Sequence, residues 1–127
     1  MIEKQYGKIN LVRIDKVKLL QVMANILRNA KDAVMESSNK DKIISIKTSI
    51  IQDKILIEIS DNGIGILPKD TNKIFNYGFT TKKSGHGFGL HTSALAINVM
   101  GGKISVSSEG LNKGTIFTIE LLYTEPR

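Results

Sequence analysis

Between Lys16 and about Glu36 the apolar residues Leu19, Leu20, Val22, Met23, Ile26, Leu27, Ala30, Ala33 and Val34 recur at three- and four-residue intervals. That is the period of an amphipathic helix. Asp15 stands where an N-cap belongs, and Ser37-Ser38-Asn39-Lys40-Asp41 closes the run. The period then drops to two. Lys42 to Ile50 and Lys54 to Ser60 are β-branched, alternating runs split by Ile51-Gln52-Asp53, which predicts an antiparallel hairpin with each strand half-buried. Ile9 to Ile14 alternates more weakly and predicts an edge strand ahead of the first helix.

Leu67 to Ser84 carries Pro68, scattered polar residues and no sustained period. It reads as a long loop with a helical turn near Lys73 to Asn76, and long loops in compact domains often act as lids. Leu90 to Met100 lacks Gly and Pro and predicts a second helix, stopped by Gly101-Gly102. Lys103 to Ser108 and Thr115 to Leu122 form another strand pair around a turn from Glu109 to Gly114. Helices segregate from hairpins, so the expected fold class is an α/β two-layer sandwich with a mixed, mostly antiparallel sheet packed against helices. One domain spanning 1–127 is expected, without internal repeats.

Composition narrows the chemistry. The 127 residues include no cysteine, which removes disulfides, thiolate catalysis and Cys-ligated zinc. The formal charge of +6 invites a nucleic-acid reading, but the lysines are spread along the chain and aromatics make up only 6%. Both argue against a nucleic-acid surface. ATP or an acidic protein partner accounts for the sign equally well. No apolar run approaches the ~20 residues of a membrane span, so a cytoplasmic domain without direct membrane contact is expected, whatever anchors its parent protein.

Two glycine clusters carry the candidate site: Asp61-Asn62-Gly63-Ile64-Gly65 and Gly85-His86-Gly87-Phe88-Gly89-Leu90. Glycines at spacing two let backbone N–H groups approach a ligand closely. The second cluster feeds a helix N-terminus, where unpaired donors and the positive end of the helix dipole suit phosphate oxygens. A tight turn is the plainer reading of either cluster alone. The spacing matches neither G-x-x-x-x-G-K-[ST] nor the dinucleotide G-x-G-x-x-G. On the first helix, Asn25 and Asn29 lie one turn apart with Gln21 and Asp32 on a polar stripe. Asn is a poor helix-interior residue, and an amide oxygen suits a hard cation such as Mg²⁺; a solvated polar face is the alternative. Asp61 ends an apolar strand, where its carboxylate can accept a hydrogen bond from an exocyclic amine or simply begin a turn.

Taken together these pieces resemble the ATP-binding catalytic domain of two-component sensor histidine kinases, within the superfamily that includes gyrase, the MutL mismatch-repair proteins and heat-shock chaperone ATPases. The N box reads Gln21-Val22-Met23-Ala24-Asn25-Ile26-Leu27-Arg28-Asn29-Ala30, and the first glycine box Asp61-Asn62-Gly63-Ile64-Gly65-Ile66. Ile74-Phe75-Asn76-Tyr77-Gly78-Phe79-Thr80-Thr81-Lys82 matches the F box, Gly85-His86-Gly87-Phe88-Gly89-Leu90-His91 the second glycine box, and Gly114-Thr115-Ile116-Phe117 the closing box. The five motifs follow the family's order over nearly the whole chain.

The resemblance implies ATP held between the helical layer and a lid, with Asn29 as Mg²⁺ ligand, Asn25 beside it and Asp61 on the adenine amine. It puts Gly63 and Gly65 near the base with Thr115 on the pocket floor beside it, and counts Ile66 among the nucleotide-binding residues. Gly85, Gly87 and Gly89 would give backbone contacts to the phosphates. Asp32, Phe75, Thr80, Thr81, Lys83, His86, Phe88 and Leu90 complete the implied nucleotide-binding set. Lys82 is the expected phosphate-facing cation, with Lys83 as its substitute, and Asn29 and Lys82 are the residues on which transfer would depend. Hydrolysing members carry a Glu one turn before the magnesium Asn; here that position is Asn25, which cannot act as a general base. Transfer to a histidine is therefore favoured over hydrolysis. Asp32 stands where many sensor kinases carry a Lys, a departure that bears on the phosphate-contacting cation. The family's acceptor His lies in a separate helical dimerisation segment, a stretch this sequence lacks, and a response regulator acts downstream. His86 and His91 are the only histidines, and they are expected to border the pocket. An anti-sigma-factor serine kinase and a non-catalytic nucleotide-binding module are the alternatives.

Overall fold

The computed structural model describes residues 16–76 and 89–122. The first helix, α1 (Lys16–Glu36), covers the span that the periodicity predicts. Val22, Ile26, Ala30 and Val34 recur every fourth residue and are all at most 3% exposed, so one stripe of the helix is fully committed to the core. The expected Asp15 cap and the strand at 9–14 lie outside the described residues.

The hairpin is β1 (Ile44–Ile51) and β2 (Lys54–Asp61), turned by Gln52 at φ 58°. A second pair, β3 (Lys103–Ser107) and β4 (Thr115–Leu122), follows the second helix, α2 (Gly89–Val99). The sheet order is β1-β2-β4-β3, and every pairing among the described residues is antiparallel. Ile57 and Ile59 of β2 meet Phe117, Ile119 and Leu121 of β4 on one face, where Val22, Ile26, Ile74 and Ile97 complete the core. The opposite face carries Lys54, Glu58 and Glu120, as alternation requires. This is the expected two-layer α/β architecture.

Helix α2 ends as Gly101-Gly102 predicts. Gly101 takes φ +79°, its N–H donates to Asn98 O at 2.9 Å, and the Gly102 N–H donates to Ile97 O at 2.9 Å. That pair of bonds is a Schellman motif, which only a residue at ease in the left-handed region closes cheaply.

Two expectations are revised. The turns begin earlier than Lys73: a short 3₁₀ turn occupies Pro68–Asp70, set off by Pro68 at its first position, and hydrogen-bonded turns continue from it to Lys73–Asn76, where the Asn76 N–H donates to Lys73 O at 2.8 Å. The strands of the first hairpin are also unequal. β2 is half-buried, but β1 is exposed on both faces, with Ile46 at 50% and Ile50 at 58% although they share the face of Ile55, Ile57 and Ile59. The cause is placement of the helices: α1 packs chiefly on β2 and α2, and α2 on β3, so the helical layer stops short of β1.

Candidate functional site

The polar stripe of α1 runs between the two glycine boxes. At one end Asn25 meets the start of α2: its Nδ2 donates to Ser93 Oγ at 3.4 Å, and Ser93 Oγ–H donates in turn to Gly89 O at 2.8 Å. Ser93 is 1% exposed, so its hydroxyl belongs to the helix–helix contact. Arg28 donates to Asn25 Oδ1 at 3.3 Å, and the Asn25 amide is therefore engaged at both ends. Farther along the helix, Ala33 O accepts the Ile64 N–H at 3.1 Å. From Asn25 to Ala33 the helix advances about 12 Å, and Asn29 and Asp32, both half-buried, lie between them.

At the Ala33 end several backbone segments approach one another closely. Asp61 ends β2 and is paired with Thr115, the first residue of β4. These two residues, predicted for the base end 54 positions apart, are thus cross-strand neighbours on the helix-facing side. Asp61 Oδ1 accepts the Gly63 N–H at 2.8 Å. Burial pushes the Asp61 carboxyl above the ordinary aspartate range, and hydrogen bonds from the Gly63 and Thr115 backbone partly oppose the shift. A half-buried carboxylate with a raised pKa at the mouth of a glycine loop is a common mark of a binding site.

The glycines of this box are required by their surroundings. A Cβ on Gly63 would lie 2.5 Å from the Ala33 carbonyl carbon, and Gly65, at φ +73°, has its α-carbon against the Gly110 carbonyl oxygen. Gly114, at φ +77°, abuts the carbonyl of Asp61 in the same way.

Sequence reasoning missed the residues that hold the box. Asn62 accepts the Ile43 N–H at 2.9 Å through Oδ1 and donates to Asp41 O at 2.6 Å through Nδ2, tying the box to the loop before β1. Ser108 and Asn112 tie it to the β3–β4 turn: the Ile66 N–H donates to Ser108 Oγ at 3.0 Å, and the Asn112 N–H to Ile64 O at 2.6 Å. An Asn or Ser in a turn is a familiar local signal, but nothing local marks partners that lie 19, 21 or 42 residues away.

Phe75 packs edge-to-face on Phe117 with ring centroids 6.2 Å apart, and its carbonyl oxygen accepts from His91 Nδ1 at 3.1 Å. His91 therefore borders the base of the predicted lid, joining its near end to α2. Ile66, Phe75 and Leu90 pack against the core, while Gly89 is exposed at the head of α2. Thr80, Thr81, Lys82, Lys83, Gly85, His86, Gly87 and Phe88 lie outside the described residues. Among those described, Asn25 and Gly89 meet at one end of the stripe, Asp61, Gly63, Gly65 and Thr115 gather at the other, and Asn29 and Asp32 lie along the helix between them.

Residues 14–125 match the family of histidine kinase-, DNA gyrase B- and HSP90-like ATPases; the chain belongs to that family. Its curated relatives include the sensor protein FixL of Bradyrhizobium diazoefficiens, 33% identical over 87% of this chain and 22% of FixL. Another is the sensor protein CitS of Halalkalibacterium halodurans, 36% identical over 81% of this chain and 19% of CitS. Among solved structures, the catalytic domain of histidine kinase ThkA superposes with a TM-score of 0.70 at 28% identity, covering 85% of this chain and 68% of that one. Full-length ShkA in complex with AMPPNP superposes with a TM-score of 0.72 at 24% identity, over 86% of this chain and 22% of ShkA, a likeness of fold. The chain spans about a fifth of the length of these curated relatives, which are named sensor proteins.

Proposed function

We propose that this domain binds Mg²⁺·ATP and transfers the γ-phosphoryl group to a histidine on a separate helical dimerisation and phosphoacceptor domain, which then serves a response regulator. The observation that carries this reading is the run of α1 from Asn25 beside Gly89 to Ala33 against Gly63. It spans both glycine boxes with Asn29 between them. The relatives' names support the histidine kinase assignment, and the AMPPNP complex of ShkA supports the nucleotide. Most of the relatives' length lies outside the matched span, which leaves room for an acceptor segment.

Asp61 takes the base. Its carboxylate has about four lone-pair sites, two N–H groups occupy part of that capacity, and the remainder can accept from the exocyclic amine of adenine. Guanine presents a carbonyl oxygen at the corresponding position, which repels a carboxylate. Asn29 offers one amide oxygen on a half-buried helix face, a donor suited to a hard cation that takes its other ligands from phosphates and water. Mg²⁺ bound there supplies neutralisation of phosphate charge.

Asn25 separates transfer from hydrolysis. Its amide cannot accept a proton, and Ser93 and Arg28 already hold it. No general base is offered to water at this position. An imidazole nucleophile needs none, so positioning and charge neutralisation are sufficient for transfer. Lys82 is proposed as a further cation facing the phosphates, with Lys83 its substitute.

The test incubates the protein with γ-labelled ATP and Mg²⁺, with and without a helical phosphoacceptor domain from a related sensor kinase. Tight binding, little phosphate release and an acid-labile label on the acceptor are expected. An acid-stable label would indicate serine transfer, rapid release would return an ATPase, and binding without transfer to any acceptor would leave a nucleotide-binding module.

A further inference from the structure

We propose that Ser108 is a positioning residue for nucleotide specificity: it locks the first glycine box to the β3–β4 turn and so fixes where Asp61 presents its carboxylate. This rests on the reading of the Asp61 end as the base site. Ser108 follows β3 and is half-buried. Its hydroxyl accepts the Ile66 N–H at 3.0 Å and the Gly110 N–H at 3.3 Å. It donates to Gly114 O at 2.7 Å, with Gly110 O a longer alternative at 3.4 Å. A serine hydroxyl has one proton to give and two lone pairs to offer, so all of its capacity is in use.

The backbone groups it joins belong to different parts of the site. Ile66 closes the first glycine box, and Gly114 immediately precedes Thr115, which pairs with Asp61. One hydroxyl therefore spans from the segment after Asp61 to the strand opposite it. Around that bond the fit is tight, with Gly65 against the Gly110 carbonyl and Gly114 against the Asp61 carbonyl. On the other side, α1 holds the same box through Ala33 and Ile64. The box is clamped between helix and turn. Of the contacts that hold its Ile64–Ile66 stretch to the turn, the Ser108 hydroxyl is the one made by a side chain, and hence the one a substitution removes without altering the backbone.

Without that hydroxyl the Ile66 and Gly110 N–H groups and the Gly114 carbonyl lose a partner, and the box is free to shift relative to Thr115. A site that discriminates by a fixed hydrogen bond depends on the position of its acceptor to a fraction of an ångström. Preference for adenine should suffer before binding in general does. A residue that only stabilises the turn would behave differently, weakening all nucleotides alike through loss of folded protein.

The experiment measures ATP and GTP affinities by calorimetry, at a temperature where thermal unfolding shows each protein folded. The variants are Ser108→Ala, Ser108→Cys and the exposed neighbour Ser107→Ala. Ser108→Ala should weaken ATP by about tenfold and GTP by less than about threefold. Ser107→Ala should match wild type. In an Asp61→Asn background Ser108→Ala should add less than about twofold to the ATP loss, because the two act through one contact. If Ser108→Ala fails to fold, Ser108→Cys, which keeps the size but bonds weakly, reads the same ratio. Parallel losses for both nucleotides, or full additivity with Asp61→Asn, would overturn the proposal while leaving the base site standing. A wild-type domain that binds ATP and GTP equally removes the base-site reading, and this inference with it.

Discussion

Gly63 and Gly65 of the first glycine box and Gly89 of the second occupy opposite kinds of surroundings. A Cβ on Gly63 would overlap the backbone of Ala33, and one on Gly65 the Gly110 carbonyl, with φ +73° adding strain. A Cβ on Gly89 would meet the Asn25 side chain at 3.6–3.9 Å, an ordinary van der Waals contact. The folded chain itself demands glycine in the first box. At Gly89 the fold would accept alanine, so a need for glycine there would have to come from a ligand drawn close to the backbone.

The largest effect should therefore come from Gly65→Ala, where overlap with backbone combines with a left-handed φ. A stability loss of roughly 3 kcal/mol or more is expected, read from the midpoint of urea unfolding. Gly63→Ala should be similarly severe, because α1 and the box cannot both stay in place. A Gly65→Ala domain with a wild-type midpoint would show that the turn yields easily and would erase the contrast between the boxes.

Asp61→Asn should separate binding from stability. Losing a charged acceptor for an amine costs about 1.5–3 kcal/mol, so ATP affinity should fall about tenfold or more. Stability at neutral pH should not fall and is expected to rise. The sign follows from the raised pKa of Asp61, caused chiefly by burial. The unfolded chain releases this proton more readily than the folded one, so the carboxyl's contribution is full below about pH 4 and is lost as pH rises through the folded value. Asparagine at 61 removes that slope and keeps an oxygen for the Gly63 N–H. A variant less stable than wild type at pH 7 would mean that the carboxylate is held by more than those backbone bonds.

The same contrast marks how far the sequence could be read. Periodicity locates the end of α1 near Glu36, and alternation places β2 and β4 within a residue, because burial there acts on local pattern. Asp61 and Thr115 were both assigned to the base end through family motifs; the β2–β4 register supplies the physical link. Ser108, Asn62 and Asn112 could not be found that way, since their partners are fixed only once the sheet has formed. The bare inner face of β1 was hidden for a related reason. Ile46 and Ile50 alternate as half-buried residues do, but their exposure depends on where α1 and α2 come to rest. Asn25 illustrates the remaining case: its amide chemistry was legible, its tie to buried Ser93 was not.

The smallest stability change should come from Gly89→Ala, the variant that decides the comparison. Gly89 opens α2, and alanine in a helix is favoured over glycine by up to about 1 kcal/mol in an interior position. At the first turn, with an ordinary contact to Asn25, the urea midpoint should stay within about 0.5 kcal/mol of wild type. ATP affinity should nevertheless fall several-fold, since a methyl group at the head of α2 would stand between the backbone and a phosphate. Loss of affinity without loss of stability is an outcome that neither Gly63 nor Gly65 of the first box can give, because there the same substitution breaks the fold. If Gly89→Ala instead lowers stability as Gly65→Ala does, the second glycine is also a packing requirement. Unchanged stability with unchanged affinity would leave Gly89 outside the phosphate site and shift the search for its N–H donors to Gly85 and Gly87.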